Sequence, residues 1–366
     1  MKDERDKGWA WIIAFACFVS AFTSQGFMRT KSVYYEAFQT KLDYSVAQAT
    51  WPFTLMTALI QMSGMGTGLF YAFNPVIVSM YFNRYKTIAM GIATCGSSIG
   101  SFALAPLSFF LIENYGIEGS LLILGGIVLQ CLPAACLYRQ PKMANDIQKS
   151  PCKDSNSKEE DGVFKIIWNI IKNPHFLMIA FTFSIYNLFM YTLQTITVDY
   201  AMTKDVRKLT AVFFVSANAL SDFIGRFAVG WFLELRLIKK VTFVTICFFC
   251  LGGLGCALPY LWEYVGFMIV FCALGVFFGC LRVEQYILLS EYMEMEKLPI
   301  AVGLCNFTVG CVLFLQIPLL GYFEEIDRYD YLFYVLSSAL FLSGLLWMLE
   351  PLIQKCQRKT KQINLA

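Results

Sequence analysis

Ala219-Leu220-Ser221-Asp222-Phe223-Ile224-Gly225-Arg226-Phe227 lies inside the apolar run from about Leu209 to Leu233. Such a run is long enough to cross a bilayer, because about 20 apolar residues cover the hydrocarbon core. It nevertheless holds a carboxylate and a guanidinium near its middle. Each costs roughly 2.5–3.5 kcal/mol at the centre of an inserting helix, so groups at that depth are normally kept for a purpose. Four residues apart, Asp222 and Arg226 share one helical face.

The rest of the chain agrees with a membrane setting. Hydrophobic residues make up 57% of the 366 and charged residues 15%, whereas a soluble domain carries about 25% charged. Mean hydropathy is +0.57. The class is an all-α polytopic membrane protein, surrounded by lipid. Thirteen cysteines are present, but most stand singly in apolar runs (Cys17, Cys95, Cys131, Cys136, Cys247, Cys250, Cys272, Cys280, Cys305), where a thiol acts as a small hydrophobe. Neither a disulfide framework nor a metal-ligand spacing emerges. The first run, Trp9 to Met28, is too long for a signal-peptide core and is expected to remain as a span.

Read in order, the apolar runs predict about ten spans, four and then six. The first extends from Trp9 to about Phe38. Trp51 to Phe82 is taken as one tilted or kinked span, with Pro75 as the kink. Thr87–Ile112 and Ser120–Tyr138 complete an N-terminal half, residues 1–138. Residues 139–173 mix Lys142, Lys149, Lys153 and Lys158 with Asp154, Glu159, Glu160 and Asp161, and read as a solvated cytoplasmic linker. Six more runs, about His175–Tyr200, Leu209–Leu233, Val241–Pro259, Trp262–Leu289, Ile300–Tyr322 and Tyr331–Leu352, form a C-terminal half at 174–354. A basic tail at 355–366 follows.

Charge placement tests that arrangement. With a cytoplasmic N-terminus the inner segments hold Arg84, Lys86, the basic half of the linker, Arg236, Lys239, Lys240, Lys297 and the tail residues Lys355, Arg358, Lys359 and Lys361. The outer loops hold mainly Glu113, Glu118, Glu324, Glu325 and Asp327, with Lys204, Arg207 and Lys208 as the exception. Positive-inside is satisfied, and both termini are expected in the cytoplasm.

Two motifs point further. Asp6-Lys7-Gly8-Trp9-Ala10-Trp11 resembles the signature that opens the first span of the monocarboxylate transporter family. Tyr81-Phe82-Asn83-Arg84-Tyr85-Lys86-Thr87-Ile88-Ala89-Met90-Gly91-Ile92-Ala93, continuing to Gly96 and Gly100, resembles that family's second signature, at its fifth span. The resemblance implies a bundle of the major facilitator type, which in the family has twelve spans. Here Thr50-Trp51-Pro52-Phe53, similar to the start of the family's second span, passes directly to Gly64–Pro75, similar to its fourth. Most of spans two and three have no counterpart. Removing two spans leaves the parity of every later loop unchanged, in agreement with the charge placement.

The resemblance also assigns roles. Arg226 corresponds to a residue that binds the substrate carboxylate and Asp222 to one that takes part in proton coupling or gating; on the residues alone, a structural ion pair is the competing reading. Lys31, in Gly26-Phe27-Met28-Arg29-Thr30-Lys31-Ser32-Val33, matches the family's first-span lysine, which attracts the anion. By the helical rise it stands about 33 Å from Trp9, so snorkelling of Lys31 and Arg29 to the outer interface is the alternative. Tyr34 and Tyr35 are candidate substrate contacts beside Lys31, or belt aromatics.

Arg282 and Glu284 are two residues apart and cannot pair on one face. Glu284 is expected to reach Arg226 or Lys31 across the cavity, as a further coupling or gating group, while Arg282 turns to the inner interface; the competing reading is a pair of interfacial charges near the end of a span. Their presence gives weight to a zwitterionic or larger carboxylate. His175 is expected at the membrane interface. Gly96-Ser97-Ser98-Ile99-Gly100 and Gly275-Val276-Phe277-Phe278-Gly279 are small-x-x-x-small patterns for close helix packing.

The expected activity is secondary transport of a small carboxylate, with or without a proton, across the plasma membrane. The competing expectation is a non-transporting family member lacking two spans, retained in the endoplasmic reticulum or acting by association. An enzyme, a cofactor, a bound metal or a nucleic-acid partner has no motif behind it. The resemblance further implies that a single-span ancillary glycoprotein can assist delivery to the surface.

Overall fold

A computed structural model describes residues 8–42, 44–62, 81–82, 86–137, 162–204, 206–234, 239–293, 297–326 and 329–350. Among these, eight helices are long and apolar enough to cross a membrane, and six of the eight lie beyond residue 173. Pro75, Arg84, Arg236, Asp327, residues 138–161 and the tail lie outside the described residues.

The first apolar run is two helices, α1 (Trp9–Arg29) and α2 (Lys31–Leu42). Thr30 separates them. Its backbone N–H and its hydroxyl both donate to the Phe27 carbonyl, at 3.1 and 2.8 Å. That closes a tighter turn than the α-helix and satisfies a terminal carbonyl within the membrane. The expected single helix from Trp9 is therefore broken between its two cationic residues.

Next come α3 (Val46–Met62), α4 (Lys86–Leu129) and the short α5 (Cys131–Cys136). Helix α4 joins the two runs expected at Thr87–Ile112 and Ser120–Tyr138, and it leaves helical geometry only at Gly116, at φ 70°, ψ −176°. That conformation is rare for L side chains, and glycine adopts it without a Cβ clash. The expected polar loop is thus a one-residue break.

Part of the expected linker is folded as well. Gly162–Ile171 forms α6, a segment rich in apolar residues. Ile170 is buried, whereas Trp168 is exposed and carries the Lys172 ammonium 5.1 Å above its ring.

The remaining helices are α7 (Pro174–Thr203), α8 (Lys208–Glu234), α9 (Lys240–Ala257), α10 (Tyr264–Tyr292), α11 (Leu298–Leu313), α12 (Gln316–Glu325) and α13 (Tyr329–Met348). His175, at the first turn of α7, is buried in the protein. Its ring stacks on Tyr292 with centroids 4.6 Å apart, and its Nε2 lies 3.7 Å from Glu350. The Tyr292 hydroxyl donates to the same carboxylate at 2.8 Å. An imidazole at the start of α7 thus has polar partners within the protein.

Lipid tails are as apolar as leucine, so helix association relies on close packing rather than on expulsion from water. The two glycine patterns supply it. A Cβ on Gly96 or Gly100 would strike the Phe18 or Phe22 carbonyl, bringing α1 against α4. On α8 and α10, a Cβ on Gly225 would strike the Val276 carbonyl and one on Gly279 the Asp222 carbonyl. Contacts of α2 with α7, α3 with α11 and α4 with α8 join the N-terminal helices to the C-terminal ones. This seam holds the charged residues.

Candidate functional site

Asp222 and Arg226 occupy successive turns of α8, as their spacing requires. Arg226 Nη2 donates to Asp222 Oδ2 at 2.8 Å. Asp222 is completely buried, so the pair forms where water does not screen it. Two serines of α4 complete the contact: Arg226 Nη1 donates to Ser97 Oγ at 3.0 Å, and Ser98 Oγ donates to Asp222 Oδ2 at 3.3 Å. The Gly-Ser-Ser-Ile-Gly motif therefore has two uses. Its glycines seat α1, while its hydroxyls meet the ion pair on another side.

The second cation at Asp222 is Arg29. Its Nη2 donates to the same Oδ2, also at 2.8 Å, and the side chain is buried, which excludes snorkelling. Arg29 is the last residue of α1, and the break at Thr30 ends that helix at the depth of Asp222. Two guanidiniums thus converge on one carboxylate oxygen. Asp222 Oδ1, Arg29 Nη1 and Arg226 Nε are buried and bond no group among the described residues.

Lys31, across the break, faces elsewhere. Its ammonium donates to the Tyr191 carbonyl of α7 at 3.0 Å and sits 4.7 Å above the Tyr191 ring. Such a site suits a compact cation. Lys31 is buried too, so its ammonium does not snorkel along the protein surface, and it lies within electrostatic reach of Arg29. Tyr34 and Tyr35 are fully buried and form no interfacial belt. Tyr34 donates to Ser120 Oγ at 3.1 Å, which turns it into the N-terminal half.

The two charges of α10 are arranged opposite to expectation. Arg282 points to the centre, where it donates to the Met190 thioether at 2.9 Å and lies within electrostatic reach of Asp222, Arg29 and Tyr186. Glu284 reaches neither Arg226 nor Lys31. It is fully buried with no hydrogen-bond partner for either oxygen among the described residues, and its charged neighbours are Lys240 and Glu291. Positions 282 and 284 differ by about 200° around a helix, so only one can face the centre.

Several central residues escape sequence reading. Tyr186 donates to the Phe278 carbonyl at 2.8 Å beside the charged cluster, and Tyr191 and Met190 receive Lys31 and Arg282. All three belong to α7, an apolar helix in which nothing marks one aromatic from the next. Ser97 and Ser98 carried a signal, being hydroxyls within a packing motif. Among the described residues no group of three or more His, Cys, Asp or Glu could hold a metal ion.

Comparison with known proteins agrees with this architecture. The family profile described as Major Facilitator Superfamily matches residues 10–315. Monocarboxylate transporter 12-B of Danio rerio is 27% identical over 367 residues, covering 93% of this chain and 74% of the relative. Monocarboxylate transporter 12 of Homo sapiens is 26% identical, covering 97% and 83%. Monocarboxylate transporter 4 of Rattus norvegicus is 22% identical, covering 98% and 86%. Among solved structures, the peptide transporter POT in complex with sulfate superposes with a TM-score of 0.70 at 15% identity, covering 96% of this chain and 97% of the other.

Proposed function

The chain belongs to the Major Facilitator Superfamily, and from that premise we propose that it is a secondary transporter of monocarboxylates or related small carboxylate solutes, moved together with a proton. The carrying observation is the double bridge at Asp222, whose Oδ2 accepts from Arg29 of α1 and Arg226 of α8. A substrate carboxylate has the same chemistry as the Asp222 side chain. It therefore competes for the same donors, which a planar guanidinium can present in pairs.

In this reading the bridge works as a latch. An anion on Arg29 and Arg226 frees Asp222, and the tie between α1 and α8 loosens. A proton on Asp222 weakens the same tie. The halves then rock about the site and expose it on the other side. Lys31 attracts the anion, Tyr34 and Tyr35 border its path, and Glu284, a buried carboxyl whose oxygens bond no group among the described residues, holds a coupled proton. The protein acts in the plasma membrane with both termini cytoplasmic.

The test is uptake of labelled lactate and pyruvate by cells with the chain at their surface, with and without an inward proton gradient. Gradient-stimulated uptake that Arg226→Gln abolishes supports the proposal. Uptake equal to that of control cells, with the protein at the surface, overturns it and leaves a family member that acts by association. Co-expressing a single-span ancillary glycoprotein in one arm separates poor delivery from poor transport.

A further inference from the structure

We propose that α6 is an interfacial helix, seated on the phospholipid headgroups at the end of α7, with Trp168 and Lys172 as its membrane contacts. This surface takes no part in the carboxylate reading above.

Successive residues of a helix turn by about 100°, so the described side chains from Ile166 to Lys172 fall on distinct sides. Ile166 and Ile170, one turn apart, face the protein: Ile170 is buried and Ile166 packs on the same core, where α6 meets α7 and α11. Next around the axis are Ile167 and Ile171, both half-buried, and then Trp168, with 58% of its surface exposed. Lys172, whose N–H still donates to the Trp168 carbonyl at 3.0 Å, and Asn169 occupy the remaining side, and both are exposed. The order is therefore protein, apolar flank, tryptophan, polar flank. A helix surrounded by water needs only the apolar stripe that its protein contact buries, and one crossing the bilayer has no use for a polar side. At the bilayer surface both flanks are satisfied, with the amphipathic ring where they meet.

The surroundings set the same level. Helix α7 has 30 residues, a length of about 45 Å against a hydrocarbon core of about 30 Å, so it reaches past the core. Its exposed apolar stripe begins with Leu177 and Phe181, one turn apart, just after its cap at Asn173. Helix α6 closes at the same point, because the Asn173 N–H donates to the Ile170 carbonyl at 3.0 Å. The Lys172 ammonium, 5.1 Å above the Trp168 ring, is thus held at the depth of the indole, beside the headgroups. Glu159, Glu160 and Asp161 precede α6 in the sequence and offset its cations. Lys172 is therefore matched to the phosphate that zwitterionic and anionic phospholipids share, rather than to a net negative surface.

The test uses the full chain, purified and reconstituted into phosphatidylcholine vesicles. Trp168→Phe keeps an aromatic ring at an exposed position, and subtracting its emission from that of the wild type isolates one of seven tryptophans. With lipids brominated near the glycerol end or near the tail end of the acyl chain, the difference signal should lose most of its intensity to the shallow bromines, and little to the deep ones or to aqueous acrylamide. Lys172→Glu sets a carboxylate against the phosphates and should increase the loss to acrylamide, whereas Lys172→Arg should not. Adding phosphatidylserine should leave the wild-type pattern unchanged. Acrylamide quenching as strong as that of free tryptophan places Trp168 in water and overturns the proposal. Stronger quenching by the deep bromines overturns it as well, since α6 then lies in the hydrocarbon core. Shallow quenching that Lys172→Glu does not alter, or that appears only with phosphatidylserine, rules out the shared phosphate as the contact of Lys172.

Discussion

Arg29 and Asp222, 193 residues apart, meet at 2.8 Å and tie α1 to α8 across the seam between the two parts of the bundle. Arg226 reaches the same oxygen from within α8. The two arginines are not equivalent: one joins helices that sequence separates widely, and the other adds charge within a single helix.

That asymmetry predicts unequal costs. Asp222→Asn leaves two buried guanidiniums without their carboxylate and should cost about 3–5 kcal/mol, whereas Arg29→Gln leaves Asp222 paired to Arg226 and should cost about 1–3 kcal/mol. Thermal unfolding of the purified variants in detergent gives the ranking. Equal losses, or a larger loss for Arg29→Gln, contradict the double bridge.

Ser97 should affect binding more than folding. Its hydroxyl accepts from Arg226 Nη1 and helps aim the guanidinium. One such bond contributes about 1 kcal/mol, so Ser97→Ala should raise the half-saturating carboxylate concentration roughly fivefold. An unchanged half-saturation with lower surface expression would point to a packing role alone.

The glycines at the α8–α10 crossing should tolerate nothing larger. In Gly279→Ala the new methyl meets the Asp222 carbonyl, so the helices must separate and the Arg226 site must shift. Gly303 of α11 has open space at the corresponding position. Gly303→Ala should therefore be neutral or stabilising by up to about 1 kcal/mol, as for any helical glycine. Detergent melting curves of the two variants, run side by side, decide this.

Glu284→Gln tests the proton assignment. The amide has nearly the shape of the carboxyl, so the fold should survive at wild-type levels. Uptake should persist but lose its response to an inward proton gradient. A variant that responds to the gradient as the wild type does assigns the coupled proton elsewhere.

The α10 charges and Lys31 mark where sequence reading stops. Spacing alone established that Arg282 and Glu284 face opposite ways, because helical geometry is local. Which of the two meets the centre depends on how α10 is rotated against α8, and the glycine contacts of Gly275 and Gly279 settle that rotation. Similarly, the charge of Lys31 was evident, yet its partner is a backbone carbonyl of α7, 160 residues away.

Sequence by itself determined the membrane class, the apolar runs, the glycine seams and the Asp222–Arg226 pair. Each of these is written in composition or in spacings of a few residues, where helical periodicity is fixed. Only the tertiary structure decided that Arg29 joins Asp222, that α1 ends at Thr30, that His175 is buried and that Glu284 leaves the site. The physical reason is that these helices are apolar on nearly every side. A soluble helix shows its inner face as a stripe, but a span bordered by lipid on one side and protein on the other does not, so rotation and neighbours emerge only from packing.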